Sequence, residues 1–332
     1  MTEQKPQRKR ILSGVQPSGK LHLGNYFGAV KQHIALQDEA ETFYFIADYH
    51  ALTTIQDPEA LSENTRDVAL DYLALGLDPE KATFFRQSDV PEVNELAFIL
   101  ASVTNMGLLE RAVSYKDKVD RGIEASVGLF YYPVLMAADI LIYRSHVVPV
   151  GQDQVQHIEM TRDMAARFNR TYAEVFPIPN YRLDAGARVP GTDGQKMSKS
   201  YGNTIEIFAE GKPLQRTVMG IKTDSTPLGS PLDPDNSNVF TLYSLFATPD
   251  EKAALADLYR SGTIGYGEAK KQLLVKINES FAPARQRRKQ LAADTAYVED
   301  VLRRGAQKAR AEAQKTMELV RVAVGMKPRP VS

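Results

Sequence analysis

The chain has 332 residues, with 41 Lys or Arg balanced by 41 Asp or Glu, and it contains neither cysteine nor tryptophan. This length predicts two domains, and the lack of cysteine excludes disulfides, zinc thiolates and thiol nucleophiles. No apolar run reaches the length of a membrane span, and the polar N-terminus lacks the apolar core of a signal peptide. We therefore expect a soluble, cytoplasmic protein that does not enter a membrane.

Four short apolar runs predict buried parallel strands. They cover residues 10–15, 42–47, 83–87 and 146–150. Between the second and third, Leu61, Val68 and Tyr72 recur at helical spacing, and Gly76 supplies a stop. This alternation predicts an α/β fold, with a doubly wound parallel (Rossmann-type) nucleotide-binding domain over residues 1–205.

The remainder of the chain, residues 206–332, predicts a smaller helical domain. Residues 222–238 are rich in Pro, Ser, Asp and Gly and predict a loop, after which the pattern becomes helical. The last helix carries an apolar stripe with which it could pack back on the first domain. The stripe consists of Ala309, Ala313, Met317, Val320 and Val324.

The C-terminal region is basic although the whole chain is neutral. Residues 281–332 contain twelve Lys or Arg against five Asp or Glu. One cluster is Arg285, Arg287 and Arg288, and a second is Arg303 and Arg304. Such clusters can bind nucleic-acid phosphates, but charge runs on helices are more often solvated surface, and the sequence leaves both interpretations open.

The first motif, PSGKLHLGN at residues 17–25, follows the first predicted strand. The turn after the first strand of such a sheet opens into the ligand crevice, and the helix that begins near Gly24 presents amides suited to phosphate. His22 stands inside this turn and can hydrogen-bond a phosphate oxygen. A capped turn with a surface histidine is the alternative. The spacing matches neither GxGxxG nor GxxxxGK[ST].

The second motif, GQKMSKS at residues 194–200, has two lysines three residues apart in a glycine-flanked loop. Lys196 and Lys199 could fold over a polyphosphate, while a flexible basic loop is the alternative. Both motifs, together with YPVLMAADIL at 132–141 and VPVGQDQVQH at 148–157, resemble the bacterial tryptophanyl-tRNA synthetases, which are class I aminoacyl-tRNA synthetases. The resemblance covers most of the chain and is strongest up to about residue 210.

The resemblance implies that ATP binds between the two motifs, with Mg²⁺ carried by the nucleotide and no metal held by the protein. His22, Lys196 and Lys199 would be the catalytic residues, because they can neutralise charge that develops on the phosphates. Lys118 matches a further phosphate contact of the family. The remaining implied ATP-binding residues are Gln16, Pro17, Ser18, Gly24, Asn25, Gly151, Gln152, Asp153, Val189, Met197, Ser198 and Ser200.

Amino-acid selection is expected to depend on Asp139. The helix around it is apolar on almost every side, so the carboxylate should be buried and should need a donor. The resemblance assigns this role to the indole N–H of tryptophan, whereas the residues alone favour a donor within the protein, such as an arginine or backbone amides. The other implied substrate-binding residues are His50, Tyr132, Met136, Val148, Val150 and Gln154.

The implied reaction activates L-tryptophan with ATP and transfers it to tRNA(Trp), releasing pyrophosphate and AMP. The resemblance also implies a homodimer. A tyrosine-specific synthetase of the same fold is one alternative, although LMAADIL and VGQDQVQH favour tryptophan. A catalytically silent RNA-binding paralogue is the other, and the intact His22, Lys196 and Lys199 argue against it.

Overall fold

The computed structural model describes residues 9–112, 126–183 and 189–326. Its centre is a parallel sheet of five strands: β1 (Arg10–Val15), β2 (Glu41–Ile46), β3 (Ala82–Arg86), β4 (Val147–Val150) and β5 (Asn180–Leu183). The order across the sheet is β3-β2-β1-β4-β5. The chain therefore builds outward from β1 to β3, then returns to the other side of β1, so a crevice opens between β1 and β4.

Helices connect the strands and form the C-terminal part of the chain. A π-helical turn, Tyr26–Val30, joins the first two helices. The α-helices of the described residues are α1 (Leu23–Asn25), α2 (Lys31–Leu36), α3 (Asp48–Ala51), α4 (Pro58–Ala74), α5 (Glu92–Val103), α6 (Met106–Glu110), α7 (Val127–Ile142), α8 (Val155–Thr171), α9 (Gly211–Met219), α10 (Asn238–Ser244), α11 (Pro249–Arg260), α12 (Tyr266–Ala293) and α13 (Thr295–Ala323).

All four predicted strands are confirmed to within one residue. The fifth, β5, was missed because its sequence NYRL is exposed at the sheet edge and carries no apolar run. The predicted stop at Gly76 is also confirmed. Helix α4 begins at Pro58 with Asp57 as its N-cap, and Gly76 follows its end in the left-handed region at φ 111°.

The sheet has a hydrophobic cluster on each face because alternate side chains of a strand point in opposite directions. Along β2, Tyr44 and Ile46 belong to one cluster, while Phe43 and Phe45 belong to the other. The first cluster continues into residues after 205, including Ile207, Val239 and Leu273. These later helices therefore share a core with the sheet, and the division at 205/206 stays a prediction.

Helix α13 packs across β3 at close range. A Cβ placed on Gly305 would lie 1.8 Å from the carbonyl oxygen of Phe84, so only glycine allows this approach. Arg310 Nε also donates to Glu92 on α5 at 2.7 Å. The predicted apolar stripe is buried as expected, with Ala309, Ala313, Met317 and Val320 fully covered and Val324 packed against the same core.

Only part of the first arginine cluster lies on the surface of the molecule. Arg285 is buried and donates through Nε to the Ile207 carbonyl at 2.9 Å. Arg287 donates to the Leu73 carbonyl at 3.0 Å, and Arg288 pairs with the carboxylate of Asp71 at 2.5 Å. These side chains hold α12 to the rest of the molecule, but Arg287 is still exposed and Arg288 is half-buried, so phosphate binding by this cluster stays a prediction.

The second cluster lies on the surface but is ion-paired. Arg303 contacts Asp300 at 2.5 Å, and Arg304 contacts Glu80 at 2.8 Å. Such exposed pairs contribute little to stability. Among the described residues, none of the helices combines the length and apolar character that crossing a bilayer requires.

Candidate active site

The first motif lies at the carboxyl end of β1, where His22 caps α1. The Nδ1 atom of His22 accepts from the Asn25 backbone amide at 3.3 Å, and the Asn25 side-chain oxygen accepts from the His22 amide at 3.2 Å. This reciprocal capping box fixes the histidine in the turn. Because Nδ1 is the acceptor, the hydrogen-bond network assigns the ring proton to Nε2.

His22 is neutral at physiological pH in this setting. Burial is the larger cause and the nearby positive charge of Lys199 is the smaller, and together they lower the pKa of His22 to about 4. The ring is 6% exposed. A neutral imidazole with its proton on Nε2 can still donate a hydrogen bond to a phosphate oxygen.

The second motif packs directly on the first. Lys199 Nζ donates to the backbone carbonyl of Gly19 at 2.9 Å and to that of Ser18 at 3.1 Å. The Gly24 amide points at the sulfur of Met197, 3.4 Å away. A Cβ on Gly24 would lie 2.9 Å from His22 Nδ1 and 3.3 Å from Met197 Cβ, so this glycine permits the close contact of the two loops.

Electrostatics makes Lys199 different from an ordinary surface lysine. Desolvation against the first motif lowers its pKa, and the carboxylates of Asp71 and Glu206 oppose that shift. Lys196 and Lys199 are both exposed residues of this loop, but the ammonium group of Lys199 lies against the first motif. The Ser198 and Ser200 hydroxyls contact each other at 2.8 Å. The loop thus brings one lysine against the histidine turn and leaves the other toward solvent.

Asn203 organises this loop, and the motif search did not identify it. Its side-chain oxygen accepts from the Ser198 amide at 2.8 Å, and its amide donates to Asp193 at 2.7 Å and to the Lys196 carbonyl at 3.2 Å. The side chain is 2% exposed. A polar residue three positions after the motif, followed by the apolar Ile205 and Ile207, was the available signal.

The remaining nucleotide-site predictions fall at three places. Val189 is buried, and its carbonyl accepts from the Met197 amide at 2.9 Å, while Lys118 lies outside the described residues. The first-loop residues Gln16 and Ser18 are exposed and Pro17 is buried. The segment that follows β4, on the far side of the crevice, forms a 3₁₀ turn over Gln152–Gln154; it carries Gly151, Gln152, Asp153 and Gln154.

A second polar group lies at the carboxyl ends of β2 and β3. Asp139 is 2% exposed and accepts from Gln87 Nε2 at 2.9 Å to each carboxylate oxygen, and Asp139 Oδ2 also contacts His50 Nε2 at 2.9 Å. Burial raises the pKa of Asp139, and the hydrogen bonds from His50 and Gln87 oppose that shift. The structure thus supplies the donor within the protein that the residues alone had allowed.

A carboxylate has lone pairs beyond those used by these bonds, so Asp139 can also accept from a bound N–H. Gln87 had not been identified as a site residue from the sequence, although it is the last residue of the third predicted strand and directly follows the observed one. Its own oxygen accepts from the His50 amide at 3.4 Å, which orients the amide group toward Asp139.

Tyr132 and Met136 lie on α7 at positions that share a helical face with Asp139. The Tyr132 ring meets the His50 ring edge-on at 6.4 Å, and its hydroxyl contacts His157 Nε2 at 2.9 Å. Met136 packs on the same hydrophobic cluster as the buried side chains of Val148 and Val150. Tyr132, His50 and Asp139 are thus brought together, whereas Met136, Val148 and Val150 share one large hydrophobic cluster and Gln154 lies in the turn after β4.

A cavity of about 510 Å³ lies elsewhere, between α6 and α8. Its lining includes Arg111, Asp163 and Arg167 but none of the predicted site residues. The described residues contain no group of three His, Asp or Glu arranged to hold a metal ion.

The fold and the site define the class of protein. A parallel sheet with a histidine turn after its first strand, closed by a lysine loop, is a nucleotide-binding α/β enzyme fold. The family model for tRNA synthetases of class I (W and Y) matches residues 4–282. The chain belongs to this family.

Known proteins of the tryptophan branch are similar over nearly the full length. Tryptophan–tRNA ligase of Rhodopirellula baltica is 53% identical over 96% of this chain and 100% of that protein. The crystal structure of tryptophanyl-tRNA synthetase from Campylobacter jejuni, complexed with ADP and tryptophan, has a TM-score of 0.92 at 47% identity, covering 96% of this chain and 100% of that one.

A tyrosine-specific relative is more distant. Tyrosyl-tRNA synthetase from Archaeoglobus fulgidus, complexed with L-tyrosine, has a TM-score of 0.64 at 22% identity, covering 85% of this chain and 90% of that one. This likeness shows the shared fold alone.

Proposed function

We propose that this chain is a tryptophan–tRNA ligase, which joins L-tryptophan to tRNA(Trp) by way of tryptophanyl-adenylate. In the first step the carboxylate of tryptophan attacks the α-phosphorus of ATP, and pyrophosphate leaves. In the second step a hydroxyl of the tRNA terminus attacks the acyl carbon, and AMP leaves. The observation that carries the proposal is the contact of Lys199 with the turn that holds His22.

This contact suits adenylate formation because the substrate supplies its own nucleophile. The enzyme then has to align the two substrates and neutralise charge on the phosphates. Neutral His22 donates through Nε2, and Lys199 and Lys196 bring positive charge to the same crevice. Mg²⁺ would enter with the nucleotide, whose phosphate oxygens would supply most of its ligands, and it would help to neutralise the phosphate charge.

Tryptophan selection in this proposal depends on the group around Asp139. The ring is enclosed by Met136, Val148 and Val150, and its N–H donates to Asp139. Burial of an indole of roughly 200 Å² contributes about 5 kcal/mol at ~25 cal/mol/Å². A phenylalanine ring has no N–H, so it could not add this hydrogen bond to those that Asp139 already accepts, and it would be disfavoured relative to tryptophan. Support comes from the near full-length likeness to tryptophan–tRNA ligases.

The homodimer and the cytoplasmic location are parts of the same proposal. Three large apolar side chains on neighbouring helices support self-association: Phe98 on α5, Met106 on α6 and Val127 on α7 are 74%, 62% and 83% exposed. Exposed apolar side chains that lie near one another are typical of interaction surfaces. Equilibrium sedimentation of the chain tests the dimer, because replacing Phe98 by Lys should shift the mass toward one copy.

The test of the activity is ATP–pyrophosphate exchange measured with each of the twenty amino acids. Tryptophan alone should drive exchange, and the charged product should be tRNA(Trp). Exchange driven by tyrosine would assign the chain to the other branch of the family. Failure of exchange with all twenty would support the silent paralogue.

A further inference from the structure

The segment after the second motif lies between the His22 turn and helix α12. The Ile207 amide donates to the Leu21 carbonyl at 3.1 Å, and the Leu23 amide donates to the Ile205 carbonyl at 3.0 Å. His22 and Glu206 are thus paired across two short antiparallel stretches. The backbone on both sides of the histidine is therefore held by residues 205–207.

Helix α12 holds the same segment through one buried arginine. Arg285 Nε donates to the Ile207 carbonyl at 2.9 Å, and Nη1 donates to the Asn278 side-chain oxygen at 2.8 Å. The residue is 4% exposed. One backbone residue, Ile207, thus connects α12 with the turn that presents His22.

The environment of this arginine is unusual for a buried cation. Among the described residues, no carboxylate lies within ion-pair distance of Arg285, and Nη2 is buried without a hydrogen-bond partner. Desolvation lowers its pKa, with a smaller opposing effect from Glu210. Burial of a charge without a paired charge is costly, so this residue stabilises the fold poorly for its size.

We propose that Arg285 is a positioning residue for adenylate formation, which fixes the Ile207 carbonyl and through it the backbone on both sides of His22. This inference depends on the proposed function. The bonds to Ile207 and Asn278 come from two different nitrogens of one planar guanidinium, a geometry that the single ammonium group of lysine could not reproduce. A small displacement of His22 would move its Nε2 away from the phosphate it contacts, and misalignment of this kind lowers rate more than binding.

The experiment compares Arg285→Gln with Arg287→Gln by ATP–pyrophosphate exchange. Arg287 is the matched control because it lies on the same helix and donates to a backbone carbonyl, but that carbonyl belongs to Leu73 on α4. Arg285→Gln should lower kcat/KM for ATP by about tenfold or more, toward the roughly 10²-fold that misplacement can cost. The affinity for tryptophan measured by fluorescence should be unchanged, and Arg287→Gln should keep normal kinetics.

A second variant keeps the test decisive if Arg285→Gln does not fold. Asn278→Ala removes the partner of Nη1 and leaves Arg285 in place, so a smaller loss in the same parameter is expected. Arg285→Lys should restore the melting temperature more fully than the rate, because it replaces charge and length but not the fork of donors. The His22 ring resonances, identified by their loss in His22→Gln, should shift in Arg285→Gln and not in Arg287→Gln.

Equal kinetics of Arg285→Gln and the unmutated chain, with only the melting temperature reduced, would overturn the positioning role. An unmutated chain that does not catalyse exchange with tryptophan would instead overturn the proposed function. The two failures are therefore distinguishable in one set of assays.

Discussion

Lys199 contacts the backbone of Gly19, so a lysine of the second motif is held by the first motif from 180 residues earlier in the chain. The ammonium group of Lys199 donates to the carbonyls of Ser18 and Gly19. On substrate binding, phosphate oxygens can replace these carbonyls. The lysine is thus placed in advance at the position where charge develops.

Replacing Lys199 by Ala should lower the rate of tryptophan activation by on the order of 10²-fold or more, because positive charge near the transferring phosphate is lost. Lys196→Ala should have an effect of similar size if the exposed lysine closes on the nucleotide. Lys212→Ala, on the exposed face of α9, is the control and should retain the normal rate. Near-normal exchange in either motif variant would remove that lysine from the mechanism.

Asp139→Ala should abolish tryptophan selection and also reduce stability. The substitution leaves the buried donors of Gln87 and His50 without their acceptor, which costs about 1–3 kcal/mol of unfolding free energy for each unsatisfied group. Because the chain contains no tryptophan, the emission of added tryptophan reports binding directly. Its spectrum should change with the unmutated protein and remain that of the free amino acid with the variant.

The ligand can be varied in the same assay. 1-Methyltryptophan lacks the indole N–H, so it should bind weakly to the unmutated protein and lose little more in Asp139→Ala. ATP binding should be retained in the variant. Normal tryptophan binding by Asp139→Ala would show that Asp139 serves only Gln87 and His50.

Acid should destabilise the protein in part through His22. Its pKa in the folded protein, about 4, lies below the ordinary value of 6.5, so folding favours the neutral ring. The stabilising contribution is therefore complete above pH 6.5 and is lost as the pH falls toward 4. His22→Gln should flatten the pH dependence of the unfolding free energy by up to about 1.4 kcal/mol per pH unit in this window.

Two other groups decide the comparison. His33 has the same lowered pKa of about 4, so His33→Gln should flatten the same window without affecting exchange activity. Asp71 acts in the opposite direction, because burial raises its pKa to about 6 and its protonated form is favoured on folding. The quantity to compare is therefore the difference in unfolding free energy between each variant and the unmutated protein, measured at each pH. An unchanged difference across pH 4–7 would contradict the burial of the ring.

Gly305→Ala should destabilise the protein strongly. The added methyl group would collide with the Phe84 carbonyl, and α13 would have to move away from β3. Overpacking of this kind costs typically 1–3 kcal/mol, and a backbone contact that cannot rotate away should reach or exceed the upper end. Gly267→Ala, in open space on α12, should be neutral or stabilise by roughly 0.5–1 kcal/mol. Chemical denaturation measures the difference in stability between the two variants. Equal denaturation midpoints would contradict the prediction.

Arg288→Gln should reduce stability because it leaves the Asp71 carboxylate, 3% exposed, without its cation. We expect a loss of about 2–3 kcal/mol, less than the ~3–5 kcal/mol of a fully buried pair since Arg288 is itself partly exposed. Arg303→Gln breaks the exposed pair with Asp300 and should cost no more than about 1 kcal/mol. If the two variants lost equal stability, the Arg288–Asp71 pair would contribute no more than an exposed surface ion pair.

The local sequence pattern was sufficient to predict those elements whose own residues show a characteristic pattern. The four apolar runs identified β1 to β4 because buried parallel strands need apolar side chains on both faces. The two motifs drew attention to His22 and Lys199, and the resemblance to the class I synthetases implied their roles at a nucleotide. The exposed strand β5 carried no such signal, and Asn203 and Gln87 are single polar residues whose hydrogen bonds form with distant segments.

The sequence by itself determined four of the five strands, the motif residues and the burial of Asp139, since each follows from the chemistry of nearby residues. Only the tertiary structure decided what those residues contact. Arg285, Arg287 and Arg288 look like a surface patch along the chain, but the packing of α12 directs them to Ile207, Leu73 and Asp71. The physical reason is that the partners of a buried charge or amide are selected by the three-dimensional path of the backbone, and spacing along one helix does not record that path.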